Sequence, residues 1–415
     1  MSARITRIDI EGFRVIDKLS LELRPLNVLI GENGSGKSTV LEAFELLRKA
    51  ASSTGTQFFD ALYGDHQVPQ STRTPPGRLG LGVWIERDDD HRFGYELVLE
   101  CGRDRQLSVV GETLVHREPP AGDATRKTSR VLYRDRTEAR LLLDGADQPR
   151  SIPIESQRLI LSSWAPAHAH LREVVEILSA IEVFPAFAVG PAWAAVGGLA
   201  GPRGSTVVRP GQTLDRDAAN LANVFLELRN AGAREWETTI ELLRLGLGHE
   251  VEDVVLRPDP GGVRVGLSLR VRGVGELPAT LLSDGQLSTL ALVAASRVRP
   301  PRSPLVAFDE PDLHLHPALI ARIAGLAEDM SEARTVVLTT HSDRLLDALS
   351  DPAASVVLFE RVEGFRTRIA RPDPERLARW LERYQGLGAA RADGYESVIF
   401  TESAAAEVAG GDSSP

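Results

Sequence analysis

Apolar and polar residues alternate from Ile5 to Ile10 and again in LSLEL (Leu19–Leu23), the period-two pattern of half-buried strands. LNVLI (Leu26–Ile30) is apolar almost throughout, as expected of a strand covered on both faces. After Ser38 the apolar positions of TVLEAFELLRKA shift to helical spacing. The first 50 residues therefore predict strand, strand, strand, glycine-rich turn and helix.

From about residue 51 to 280 the pattern is more broken. QSTRTPPGRLG and REPPAGDATRK interrupt strand-like segments LGVWIE, YELVLE, SVVG and RVLYR. Helical spacing is predicted over Leu171–Ile181 and Asp217–Leu245, and strands over VEDVVLRP and VRVGLSLRVR. Val183 to Pro202, cut by Pro and Gly, predicts a loop. Beyond it an α/β alternation returns: a helix over Gln286–Arg297, a buried strand over Pro304–Phe308, and a helix over Pro317–Met330. A buried strand over Thr335–Thr340, a short helix and a hairpin follow. The expected organisation is an α/β core built from residues 1–50 and 280–400, a strand-rich and helical insertion over 51–279, and a disordered tail over 401–415. No heptad run or internal repeat is visible.

The chain has 415 residues, 42% hydrophobic and 26% charged, the balance of an ordinary soluble globular protein. One cysteine, Cys101, excludes a disulfide framework and a cysteine-based zinc site and suits a reducing cytoplasm. The N-terminus lacks a signal-peptide core, and no run approaches the ~18 apolar residues of a membrane span. A net charge of −10 and a pI near 5.5 argue against a nucleic-acid footprint over the whole surface. The cationic run over Thr125–Arg140 interleaves Asp135 and Glu138, and reads more readily as a solvated face than as a phosphate-binding patch.

GENGSGKST (Gly31, Glu32, Asn33, Gly34, Ser35, Gly36, Lys37, Ser38, Thr39) fits G-x-x-x-x-G-K-[ST] between a buried strand and a helix. Glycines allow successive backbone N–H groups to converge on phosphate, and the helix adds its positive end. Lys37 can reach β- and γ-phosphates, and the Ser38 hydroxyl can ligand Mg²⁺. In LVAFDEP an apolar strand ends in Asp309, suited to hold Mg²⁺, and Glu310, suited to polarise an attacking water. VVLTTHS ends another strand in His341, placed to contact a γ-phosphate. Each of these two could alone be an ordinary strand end. His341-Ser342-Asp343 is no catalytic triad, since adjacent residues cannot adopt that geometry. His168/His170 and His314/His316 are His–x–His pairs with no third ligand in view, and metal binding is disfavoured there.

In this order the motifs resemble an ABC-type ATPase head of the RecF/SMC-like group, including its short RecF-like and AAA-type members. The resemblance rests on RIDIEGFRVID…LELRPLNVLIGENGSGKSTVLEAF, LLSDGQLSTLALV, AFDEPDLHLHP, LTTHSDRLLDAL and the closing WLERYQGLGAARADGYESVIF. It implies a P-loop NTPase with a mixed sheet that binds ATP and Mg²⁺ and hydrolyses ATP. Asp309 would be the Walker B carboxylate, Glu310 the base and His341 the switch histidine, with Arg14 near the nucleotide. Ser283, Gly285 and Gln286 match the signature motif, which in this group binds the γ-phosphate of ATP held by an opposing subunit, so a homodimer closed by ATP is expected. Asp284 stands where glycine is usual, and no role is apparent for it. The Q-loop glutamine is unplaced among Gln57, Gln67, Gln157 and Gln212. The histidine-proline form of EPDLHLHP is similar to OLD-like ATPases rather than transporters, while the stretch after His341 is expected to be too short for their Toprim nuclease. The implied role is a switch in DNA maintenance or repair, with DNA as partner. The alternative is a regulatory ATPase of an anti-phage defence or toxin-type system that controls a separately encoded effector.

Overall fold

The computed structural model describes residues 3–64, 77–102, 106–119, 126–146, 148–185, 187, 201–211, 213–297, 303–313, 315, 317–362, 366–382, 386–392 and 400–402. Three sheets organise them. The first is antiparallel, with strand order β2-β1-β4-β5-β6-β7-β8-β9. Its members are β1 (Ala3–Phe13), β2 (Ile16–Glu22), β4 (Arg78–Arg87), β5 (Arg92–Cys101), β6 (Leu107–Arg117), β7 (Thr128–Arg134), β8 (Ala139–Leu141) and β9 (Arg150–Ser151). The second is mixed, with order β10-β15-β16-β3-β17-β18-β19. It comprises β3 (Leu26–Gly31), β10 (Glu182–Phe184), β15 (Leu305–Phe308), β16 (Thr335–Thr339), β17 (Val356–Val362), β18 (Arg366–Pro372) and β19 (Phe400–Glu402). From β10 to β17 all neighbours are parallel, and β18 and β19 are antiparallel additions. A small sheet joins β11 (Thr206–Val207), β12 (Val251–Pro258), β13 (Arg264–Val271) and β14 (Gly275–Pro278).

The parallel sheet separates two apolar cores. Successive side chains of a strand point to opposite faces, and β3, β15, β16 and β17 obey this rule. Leu29, Leu305, Ala307, Val337 and Val357 enter one core, while Val28, Ile30, Val306, Phe308, Val336 and Leu338 enter the other. The first core lies against the antiparallel sheet and takes in α1 (Lys37–Ser52) through Val40, Phe44 and Leu47. Beside α1 lie α2 (Gln57–Gly64), α3 (Ile160–Trp164) and α4 (Ala169–Ser179). The second core contains α5 (Leu221–Asn230), α6 (Ala233–Leu247), α7 (Asp284–Arg297), α8 (Pro317–Ser331) and α9 (Asp343–Asp347). The short helices α10 (Pro352–Ser355), α11 (Pro374–Leu381) and α12 (Leu387–Ala392) complete this side. Covered on both faces, β3, β15 and β16 have no exposed position, which is why they read as unbroken apolar runs. Among the described residues no helix is long and apolar enough to cross a membrane.

Two expectations change. Val183 and Phe184 are not loop but the end of β10, buried beside β15. The helical region expected over Asp217–Leu245 resolves into two helices, α5 and α6, parted at Gly232, which has φ 131°. Much of the cationic run over residues 125–140 is paired within its own sheet, while Arg130 lies over the Tyr133 ring. Arg126 pairs with Asp90 at 2.6 Å, Lys127 with Glu118 at 3.6 Å and Arg140 with Glu138 at 2.9 Å, while Arg134 is buried. His314, His316, Gln67, Gln212 and the tail beyond 402 lie outside the described residues.

Folding also gathers histidines that are far apart in sequence. His91 Nδ1 meets His116 Nε2 at 2.8 Å, and the His116 ring lies 4.1 Å from that of His170 and 4.8 Å from Phe93. Among the described residues no group of three or more His, Cys, Asp or Glu is arranged to hold a metal. His116 is buried, and burial first, then His170 and His91, push its pKa down to about 4, against the pull of Glu118 and Glu173. Between its unfolded value of 6.5 and about 4 the unfolded chain binds the extra proton, so stability is full above pH 6.5 and falls as the pH drops through this window. The melting temperature should decline from pH 6.5 to 4. His116→Gln should flatten that decline, and an unchanged slope would assign it to other groups.

Candidate functional site

The end of β3 passes directly into a turn that only glycines can build. Gly31, Gly34 and Gly36 have φ of 139°, 74° and 111°, in the region that costs a side chain steric strain. At Gly31 an added Cβ would fall 2.0 Å from the Phe359 carbonyl oxygen of the neighbouring strand. The turn closes through Ser35 N–H to the Glu32 carbonyl at 3.3 Å, and the Thr367 hydroxyl donates to the Ser35 carbonyl at 2.9 Å. Gly36 then caps α1, whose first turn holds no acidic residue. Its free N–H groups and positive dipole end are thus open to an anion. The buried Lys37 ammonium lies over the turn and donates to the carbonyls of Gly31 at 2.8 Å and Glu32 at 2.9 Å. Burial lowers its pKa, with Glu310 and Asp309 opposing.

Strand register brings the remaining groups to this turn. Phe308 pairs with Leu338 and Thr339 with Leu29, so the residues that leave β15 emerge beside the end of β16 and the start of the turn. Asp309 Oδ1 accepts from the Ser38 hydroxyl at 3.0 Å and from the Thr339 hydroxyl at 2.6 Å. Thr339 in turn accepts the Glu310 N–H at 2.9 Å. The Asp309 N–H donates to the Phe184 carbonyl at 2.9 Å, so β10 contributes as well. Glu310 has φ 46°, a left-handed conformation that a residue with a side chain holds only where its surroundings impose it. Its Oε1 lies 3.6 Å from His341 Nε2, and both side chains are partly exposed. Asp312 accepts from the Thr340 hydroxyl at 3.0 Å, and burial raises its pKa.

Thr339 and Asp312 were missed from the sequence. The only signal is that both lie inside strand-end stretches already singled out, VVLTTHS and EPDLHLHP. Arg14, at φ 49°, pairs with Glu42 on α1, one turn beyond Ser38. Neither described Q-loop candidate is hydrogen-bonded to Ser38 or Asp309. Gln57 accepts from Thr54, and Gln157 donates to the Leu107 carbonyl.

LLSDGQL opens α7. Ser283 N–H donates to Gln286 Oε1 at 2.8 Å, and Gln286 N–H donates to Ser283 Oγ at 3.3 Å. This reciprocal pair is a capping box, which satisfies two otherwise free helix donors. The serine and glutamine of the motif therefore have a local role in addition to any role with nucleotide. Since α1 belongs to the first core and α7 to the second, the phosphate-type turn and LLSDGQL open helices on opposite faces of the parallel sheet.

Residues 4–73 match the family model described as "AAA ATPase domain", and residues 246–347 match that described as "AAA domain, putative AbiEii toxin, Type IV TA system". The DNA replication and repair protein RecF of Parasynechococcus marenigrum (strain WH8102) is 36% identical over 111 residues, 24% of this chain and 27% of that protein. The uncharacterized protein YbjD of Escherichia coli (strain K12) is 56% identical over 43 residues, 10% of this chain and 8% of that protein. The chain thus spans about a quarter or less of these curated relatives. Among solved structures, a Smc head bound to the C-terminal winged-helix domain of ScpA aligns with TM-score 0.53 and 14% identity, over 90% of this chain and 99% of that one. A Pyrococcus furiosus Smc head with an extended coiled coil aligns with TM-score 0.52 and 13% identity, over 92% and 99%. In fold and in motif order the chain resembles a RecF/SMC-like ABC-type ATPase head, with matches to AAA-type ATPase domains over residues 4–73 and 246–347.

Proposed function

We propose that the chain is a Mg²⁺-dependent ATP hydrolase in which residues 1–50 and 280–400, joined by β10, form the ATPase core and the rest of 51–279 an inserted lobe. The observation that carries this reading is the meeting of Ser38, Thr339, Asp309 and Glu310 at the end of the glycine turn. Gly31 to Thr39 would wrap the phosphates, with Lys37 on the β- and γ-groups and Arg14 alongside. Ser38 and Asp309 fit a metal. Their oxygens lie 3.0 Å apart, close to the ~2.9 Å between adjacent ligands of an octahedral ion with bonds near 2.0–2.1 Å. Mg²⁺ bound there would offset charge on the β- and γ-oxygens. Glu310 would hold the attacking water and take its proton, while His341 would orient that water and contact the γ-phosphate.

Ser283, Gly285 and Gln286 would act on ATP bound by a second copy. Support comes from the opposite-face placement of α1 and α7, which sets the LLSDGQL end of a chain apart from its own turn. ATP would then close a homodimer and hydrolysis would open it, a population shift driven by γ-phosphate contacts. We infer that this switch serves DNA maintenance, a reading supported by the RecF match. The match of residues 246–347 to a toxin-type domain supports a second reading, control of a separately encoded effector.

Glu310→Gln should preserve ATP binding, abolish turnover and accumulate an ATP-bound dimer by light scattering. A strictly monomeric variant at saturating ATP would rule out the sandwich. Thr339 is fully buried. Thr339→Val should cost about 1–3 kcal/mol by stranding Asp309 and the Glu310 N–H, measurable by denaturant unfolding, while Thr339→Ser should retain both contacts. For the DNA reading, affinity of the ATP-bound Glu310→Gln protein for duplex DNA should fall steeply with salt. Salt-independent or undetectable binding would favour the effector reading.

A further inference from the structure

Asp284 puts a carboxylate in the first turn of α7, within the motif assigned above to an incoming phosphate. Such a charge favours the helix but repels an anion arriving at the same N–H groups. Its partner resolves the conflict. Arg203 follows Asp284 nowhere in sequence, lying 81 residues before it in the turn Gly201–Arg203, and is 6% exposed. Its Nη2 meets Asp284 Oδ1 at 2.5 Å, and its Nη1 donates to the Leu282 carbonyl at 2.6 Å and the Ala279 carbonyl at 3.3 Å. One planar guanidinium thus fastens the backbone just before Ser283 to the side chain just after it. A guanidinium keeps its proton even when buried, so the pair brings no net charge to the head of α7.

We propose that Arg203 is a positioning residue for the signature turn. It neutralises Asp284 and fixes the Ala279–Ser283 backbone, so that the N-terminus of α7 can receive an anionic phosphate group in spite of the acid. This inference rests on the reading of Ser283, Gly285 and Gln286 as contacts to ATP held by a second copy. Asp284 is then the acid that Arg203 answers, while the guanidinium's bonds to the Leu282 and Ala279 carbonyls hold the turn without it. Arg203 also ties the motif to the insertion, because the segment that carries it runs on into β11 of the small sheet.

The test uses the full chain and four proteins: wild type, Arg203→Gln, Asp284→Gly and the double variant. Turnover, ATP-driven dimerisation and binding of a fluorescent ATP analogue to the monomer are measured on each. Arg203→Gln leaves the carboxylate unneutralised and should lower kcat and dimerisation about tenfold or more, with monomer nucleotide binding unchanged. Asp284→Gly should stay near wild type. The double variant should recover most of the loss, because the repelling charge is gone. A double variant as defective as Arg203→Gln would reduce Arg203 to a scaffold for the turn, and full activity in Arg203→Gln would remove the inference altogether. Should Arg203→Gln fail to fold, Asp284→Asn decides. Retained turnover supports the proposal, and a tenfold loss in a folded protein overturns it by making the carboxylate itself the functional group. Wild-type protein that binds ATP yet neither dimerises nor turns over would instead sink the two-copy reading, and this inference with it.

Discussion

Everything at the candidate site depends on one carboxylate oxygen that accepts two hydroxyl donors. Asp309 Oδ1 takes hydrogen bonds from Ser38 and Thr339, which belong to the glycine turn and to β16. Those three residues lie at or beyond the ends of β15, β16 and β3, parallel strands paired in a register that ends them side by side. A shift of one residue in either pairing would turn the side chains to the other face. The close fit of Gly31 against Phe359 pins the same edge from the β17 side. Glu310 pays for its position with a left-handed backbone, held by the N–H bond to Thr339.

The two cores make that register robust. Each strand of the parallel section sends alternate residues into opposite apolar clusters, so both faces resist slippage. They also sort the helices. The helix after the glycine turn packs in the first core, and the helix opened by LLSDGQL packs in the second. A sheet therefore lies between a chain's own phosphate-type turn and its own signature-type helix.

Charge follows the same economy. In the cationic run over 125–140, Arg126, Lys127 and Arg140 are paired with Asp90, Glu118 and Glu138. Arg203 and Asp284 cancel at the head of α7, while the first turn of α1 carries no acid to cancel. Both helix starts are thereby kept free of net negative charge, by different means.

By itself the sequence determined the features whose physics is local. GENGSGKST after an apolar run reads as a phosphate-type turn because glycine freedom, the lysine and the helix start all lie within nine residues. The capping box of Ser283 and Gln286 is likewise a matter of three-residue spacing. Asp309, Glu310 and His341 were legible as strand ends, but nothing in their spacing says that they meet. Only the tertiary structure decided that Asp309 shares an oxygen between Ser38 and Thr339, that Val183 and Phe184 close an edge of the sheet, and that His91 and His116 join His170. It also decided that Arg203 answers Asp284. Strand register and sheet face set these contacts between residues tens to hundreds of positions apart, and a pattern read a few residues at a time carries no record of such distances.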